Sequence, residues 1–194
     1  MNPLLNYYYP KVYEEGAVFG NATYTFNDRF DVTAGGRWAK NSQVLHSTLV
    51  GPLVGPDQII REASEADVFT WMISPRFHIN DASMVYGRVA TGYRPGGPNS
   101  PLPGVPPLFD SDTTTDYEAG YKASLLHGAL DLDLALYYID WKDIQISAVN
   151  ANGINYRANG SAASSRGVEF TTSYQLTDHW RLGAAGSYTN AILG

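Results

Sequence analysis

Four histidines, His46, His78, His127 and His179, stand alone at wide spacing, and the chain holds no cysteine. None has a His or Cys neighbour at ligand distance along the chain, so no metal site is expected and they read as turn and wet-face residues. Gly92, Gly96 and Gly97 make a glycine-rich stretch, but no Lys-Ser/Thr follows and no helix begins there. Loop flexibility, not phosphate binding, is what they supply. Serines are common, yet none stands in a nucleophile-elbow setting. Asp131 with Asp133, and Glu118 with Lys122, could be acid–base pairs by spacing; a solvated lining where charge is cheap accounts for them better. No catalytic group, metal or cofactor is therefore expected. Binding chemistry remains. Tyr93, Arg94, Asn99, Phe109, Asp110 and Asp112 bring rings, a guanidinium, an amide and carboxylates into one Pro/Gly-rich stretch, as a ligand-capturing loop would. Asn21-Ala-Thr and Asn159-Gly-Ser match the glycosylation pattern, a short signal that carries little meaning here.

The elements that position these groups are strands. Alternate residues from Val18 to Phe26, Phe30 to Trp38, Phe69 to Ile79, Val85 to Tyr93, Tyr117 to Leu125, Leu130 to Tyr138, Val168 to Leu176 and Trp180 to Tyr188 carry no charge. The interleaved positions hold Asp31, Arg37, Arg76, Arg88, Glu118, Lys122, Asp131, Asp133, Glu169 and Arg181. Successive strand residues point to opposite faces, so this pattern predicts a sheet with one apolar and one wet face. Short turns are expected at Asn27–Asp28–Arg29, Asn80–Asp81–Ala82–Ser83, Leu126–His127–Gly128–Ala129 and Thr177–Asp178–His179, where Asn, Asp and Gly suit tight hairpins. Longer connections are expected over about residues 42–63, 94–113 and 147–160. Pro75 falls inside a strand and predicts a bulge or local break, because proline cannot donate to the ladder.

Composition narrows the class. Aromatic residues make up 13% and charged residues only 16% of the 194, with net charge −6 and pI near 5.0. That balance disfavours a nucleic-acid partner. No apolar run approaches the roughly 18–20 residues of a membrane helix. The opening MNPLLNYYYPKVYEEG lacks a basic n-region and an apolar h-region, so no signal peptide is expected within it. Strands of roughly 10 residues match the ~9–11 that cross a bilayer at a tilt. Long loops at one end, short turns at the other and aromatics gathered near the turns (Tyr24, Phe26, Phe30, Phe77, Tyr174, Trp180) favour an antiparallel up-and-down transmembrane β-barrel over a soluble sandwich. If the short turns are periplasmic, the first strand (about 15–26) runs downward and the eighth (180–189) upward. Both ends then lie outside, which predicts an internal segment of a larger barrel with two open edges.

Several stretches resemble the β-barrel of TonB-dependent outer-membrane receptors. YGRVATGYRPGG (86–97) is similar to the family's strand ending in Gly-Tyr or Gly-Phe before a glycine-rich extracellular loop. YEAGYK (117–122), LDLALYYIDWKDIQI (132–146), SRGVEF (165–170) and SYQLTDHWRLGAAGSYTNA (173–191) follow in the family's order. The resemblance covers nearly the whole of 1–194, as one partial barrel domain of about eight strands out of about 22. It implies a Gram-negative outer-membrane location, an energised receptor for a scarce nutrient such as an iron–siderophore complex, and coupling to TonB through an N-terminal plug. No plug, coupling peptide or terminal aromatic strand is found in this sequence. The implied partners are membrane lipid, the rest of the barrel and the plug, with Arg37, Arg88, Glu118, Lys122 and Glu169 facing the lumen and plug. The alternatives are a passive porin or small closed barrel and, from another class, a soluble β-sandwich binding protein.

Overall fold

A computed structural model describes residues 6–51 and 56–194, and it is all antiparallel strand. Eight long strands form one sheet: β2 (Lys11–Asn27), β3 (Phe30–Val50), β4 (Gln58–Asn80), β5 (Ser83–Arg94), β8 (Asp112–Leu125), β9 (Leu130–Lys142), β12 (Ala162–Thr177) and β13 (Trp180–Leu193). Each pairs with its sequence neighbours, and β1 (Asn6–Tyr8) continues β2 along β3 across the Tyr9–Pro10 break. Pro10 has no N–H to give, but its carbonyl still accepts from His46 N at 3.1 Å. Among the described residues β2 and β13 are the outer edges and do not pair with each other.

Within the alternating stretches the registers keep charge on one face. Asp31 lies opposite Arg76, Arg88 opposite Glu118, and Lys122 opposite Asp133. The other face is apolar and bare: Val18, Phe69, Trp180 and Tyr188 are 72%, 63%, 66% and 69% exposed. In a sandwich a second sheet would cover these side chains. Among the described residues there is none, only the small pairs β6 (Gly97–Pro98) with β7 (Leu108–Phe109) and β10 (Gln145–Val149) with β11 (Asn155–Asn159). The sandwich is thereby overturned, and the bare face suits lipid.

All four short turns are where the sequence places them. Asn27 Oδ1 accepts from Arg29 N at 2.9 Å, and Asn80 Oδ1 from Ala82 N at 2.9 Å and Ser83 Oγ at 3.0 Å. Thr177 Oγ1 accepts from His179 N and Trp180 N at 3.3 and 3.2 Å. Leu126, His127 and Gly128 all take positive φ, 55°, 57° and 86°, to close β8 onto β9.

The connections differ from expectation. Residues 42–63 are mostly strand, since β3 and β4 stay paired up to Leu49 opposite Gln58. Polar alternation there (Asn41, Gln43, Ser47) reads as loop, yet backbone pairing continues and these side chains are buried on the wet face. Pro52 and Gly55, which the sequence counts in this connection, lie outside the described residues. Residues 147–160 form the β10–β11 hairpin, and 94–113 contain β6 and β7. At Pro75 the β4–β5 ladder lapses between Ile73↔Val89 and Arg76↔Tyr86 without slipping. Ser74 Oγ donates to Gly87 O at 3.0 Å beside that gap. It is a break, not a bulge.

Candidate functional site

The wet face carries a chain of ion pairs. Arg37 meets Glu15; Arg76 Nε and His78 Nε2 stand 2.6 and 2.9 Å from the Asp31 carboxylate. Arg88 bridges Asp116 at 2.6 Å and Glu118 at 3.4 Å, and Tyr86 donates to Glu118 at 2.7 Å. Lys122 pairs with Asp133 and Arg181 with Asp131 at 3.0 Å. The acid–base spacings of the sequence are thus spent on structural pairs, with Glu118 and Lys122 bound to other partners. The Glu169 carboxylate has no hydrogen bond or ion pair among the described residues.

At the end opposite the short turns, β5 parts from β4 while staying paired with β8 up to Arg94 opposite Asp112. Its last backbone register with β4 is Met72↔Ala90; next, the Thr91 hydroxyl accepts from Trp71 N at 2.9 Å and donates to Trp71 O at 3.3 Å. A side chain thus replaces the ladder, and the chain beyond crosses the wet face of β2 and β3. Tyr93 donates to Glu15 at 3.1 Å, and Gln43 Nε2 donates to Gly96 O. Tyr93 therefore corrects the lipid-facing assignment that strict alternation gives it. A Cβ on Gly97 would come within 2.5 Å of Gln43 Oε1 and 2.9 Å of Lys11 Nζ, so glycine permits the close approach. Hydrogen bonds from Tyr13 first, then Arg37, hold the Glu15 carboxyl below its usual range. The same bond to Glu15, with burial second, raises the Tyr13 hydroxyl to about 12.

Two connections are then stitched together. Arg94 Nε and the Gln145 N–H both donate to Asp112 Oδ2, at 3.1 and 3.0 Å, and Asp112 is 1% exposed. The Arg94 guanidinium also lies 5.6 Å from the Trp141 ring centroid. Gln145 Nε2 donates to the carbonyls of Arg94, Pro95 and Asp110 at 3.2, 3.0 and 3.2 Å. Asn99 exchanges two 2.8 Å bonds with the Arg157 backbone, and Asn159 bonds both Asp110 N and Asp110 O, at 2.8 and 3.0 Å.

Between this unit and β2 lies a recess of about 420 Å³ lined by Tyr9, Lys11, Asn99, Phe109, Tyr156 and Arg157 among others. Lys11 Nζ stands 5.8 Å from the Phe109 ring centroid, and burial lowers the pKa of its ammonium. Of the loop residues singled out in the sequence, Phe109 and Asn99 line the recess. Tyr93, Arg94 and Asp112 are turned to internal bonds, and Asp110 is exposed beside them. Tyr9, Lys11, Tyr156 and Arg157 escape sequence reading because distant segments supply them. Gln145 ends the Asp-Ile-Gln run, which marks a strand end without showing what the amide grips.

Comparison with known proteins agrees with this architecture. The family model "TonB dependent receptor-like, beta-barrel" matches residues 1–192. The pesticin receptor of Yersinia enterocolitica is 28% identical over 170 residues, which cover 84% of this chain and 24% of that receptor. The metal-pseudopaline receptor of Pseudomonas aeruginosa is 34% identical over 83 residues, 43% of this chain and 11% of that receptor. Among solved structures, the ferric yersiniabactin uptake receptor FyuA from Yersinia pestis superposes with TM-score 0.81 at 22% identity, covering 97% of this chain and 28% of that one. The ferric-catecholate import receptor Fiu of E. coli gives 0.73 at 18%, covering 96% and 29%. The chain thus spans about a quarter of the length of the curated relatives it matches over most of its own length. These relatives are named as receptors, not enzymes. From the antiparallel sheet, its bare apolar face and the match over residues 1–192, the chain belongs to the TonB-dependent receptor β-barrel family.

Proposed function

We propose that this segment forms part of the wall of an energised receptor in the Gram-negative outer membrane, taking up an iron–siderophore complex or a similar metal chelate. The observation that carries the reading is the recess of Tyr9, Lys11, Phe109, Tyr156 and Arg157 beneath an inward-folded loop unit. Rings offer stacking surface, and two cations favour an anionic ligand. Relatives named for ferric yersiniabactin, catecholate and pyoverdine uptake support the substrate class. Tyr93, Arg94, Asn99, Asp110 and Asp112 then shape the loop unit, while Phe109 faces the ligand.

The wet face meets the plug, through which TonB acts; Arg37, Arg88, Glu118, Lys122 and Glu169 lie along it. Glu169 is free to pair across that interface. Binding of ferric siderophores to the protein of full encoded length, followed by fluorescence quenching, tests the receptor reading. Lys11→Gln and Arg157→Gln are each expected to weaken binding about tenfold, as loss of one charge-assisted contact does. Unchanged affinity in both variants, or no binding of any ferric chelate by the wild type, overturns it. Glu169→Lys should loosen plug retention; unchanged retention and uptake remove that contact from the scheme.

A further inference from the structure

We infer that Arg166, at the outer rim of the lipid-facing surface, binds the phosphate of an outer-leaflet lipid headgroup. The inference rests on the membrane reading of the apolar face and adds a lipid site to it. In the register Arg166 lies opposite Tyr138 on β9 and Asn190 on β13, on the face that carries Leu136, Val168, Phe170 and Tyr188. It is exposed, and its guanidinium has no hydrogen bond or carboxylate partner among the described residues. The wet-face arginines Arg37, Arg76, Arg88 and Arg181 each meet a carboxylate.

Height decides what an unpaired guanidinium on this face can meet. About eleven residues of β12 separate Arg166 from Thr177 at the short turn, roughly 36 Å at the rise of a strand. Tilted by about 40°, that is roughly 28 Å of vertical height, just beyond the ~25 Å apolar band of an outer-membrane barrel. Arg166 therefore stands where headgroups begin, flanked by Tyr138 and Tyr188, which are 45% and 69% exposed. Tyrosine rings favour this interfacial depth, and a guanidinium matches a phosphate with two parallel N–H donors. Asn190 adds an amide at the same register. The acidic neighbour on this face, Asp140, lies 3.8 Å from Lys142 and leaves Arg166 unneutralised.

The test uses the protein of full encoded length, reconstituted in phosphatidylcholine vesicles with a minor fraction of phosphatidic acid or of diacylglycerol. Lipids retained after detergent release are counted by native mass spectrometry. Wild type should retain phosphatidic acid about tenfold over diacylglycerol, the scale of one charge-assisted contact. Arg166→Gln should lose that preference; Arg166→Lys, a point charge without the fork, should keep part of it. Arg181→Gln, on the wet face, should leave it unchanged. Equal retention of the two lipids by wild type, or an undiminished preference in Arg166→Gln, overturns the site. Wild type that fails to insert, shown by loss of heat-modifiable migration, overturns the membrane reading itself and the site with it.

Discussion

The Tyr93 hydroxyl on β5 donates to the Glu15 carboxylate on β2 at 3.1 Å, although β3 and β4 separate those strands in the sheet. The contact exists because β5 parts from β4 after Ala90 and folds inward. One hydrogen bond thus reports whether the loop unit is seated.

Tyr93→Phe should release the end of β5. Amide exchange over residues 92–98 is expected to rise roughly fivefold, the scale of about 1 kcal/mol for one hydrogen bond. Exchange in β12 and β13 should stay unchanged. Protection of residues 92–98 identical to wild type would show that Gln43 and Asp112 hold the segment alone.

Acidification should act on the same contact. The Glu15 carboxyl is held below its usual range by its bonds to Tyr13 and Arg37, so the charged form is the one the fold favours. Its stabilising effect is present in full above the ordinary carboxylate pKa of about 4.3 and fades as pH falls through the depressed value. Exchange over 92–98 should therefore follow the ordinary pH law at neutral pH and exceed it only in acid. Glu15→Gln should abolish that excess.

Asp112→Asn should destabilise more than any change at the exposed Asp110. Asp112 is 1% exposed and accepts from Arg94 and the Gln145 N–H. Because the Arg94 side chain is 46% exposed, the loss is set at about 1–3 kcal/mol rather than that of a fully buried pair. Urea unfolding followed by heat-modifiable migration measures it.

Two glycines should respond differently to alanine. At Gly167 a Cβ would lie 2.3 Å from the Tyr188 carbonyl oxygen, as well as against the Tyr137 ring. Backbone cannot step aside, so Gly167→Ala should cost about 1–3 kcal/mol, and Tyr137→Ser should not rescue it. At Gly120 the nearest atoms belong to the Tyr86 ring, at 2.3 Å. There Tyr86→Ser should restore much of the stability lost in Gly120→Ala. Thermal unfolding of the single and double variants separates the two cases.

The eight strands, the four short turns and the separation of wet from apolar face were legible in the sequence, because each is a local rule. Alternation has period two, and Asn27, Asn80 and Gly128 carry their turn chemistry in their own side chains or backbone freedom. The order of Gly-Tyr, Tyr-Glu-x-Gly-x-Lys and Gly-Val-Glu segments pointed to the family by the same local means. Where the strands end above the membrane was not legible. Above the lipid, water removes the demand for apolar residues, so Asn41, Gln43 and Ser47 look like loop while their backbone stays paired. The recess was hidden for a different reason. Tyr9, Lys11, Phe109 and Arg157 meet only because β5 parts from β4 at Thr91 and the chain beyond it carries Gly96 and Gly97 onto Gln43. That departure is decided by packing between segments far apart in the chain, which only the tertiary structure contains.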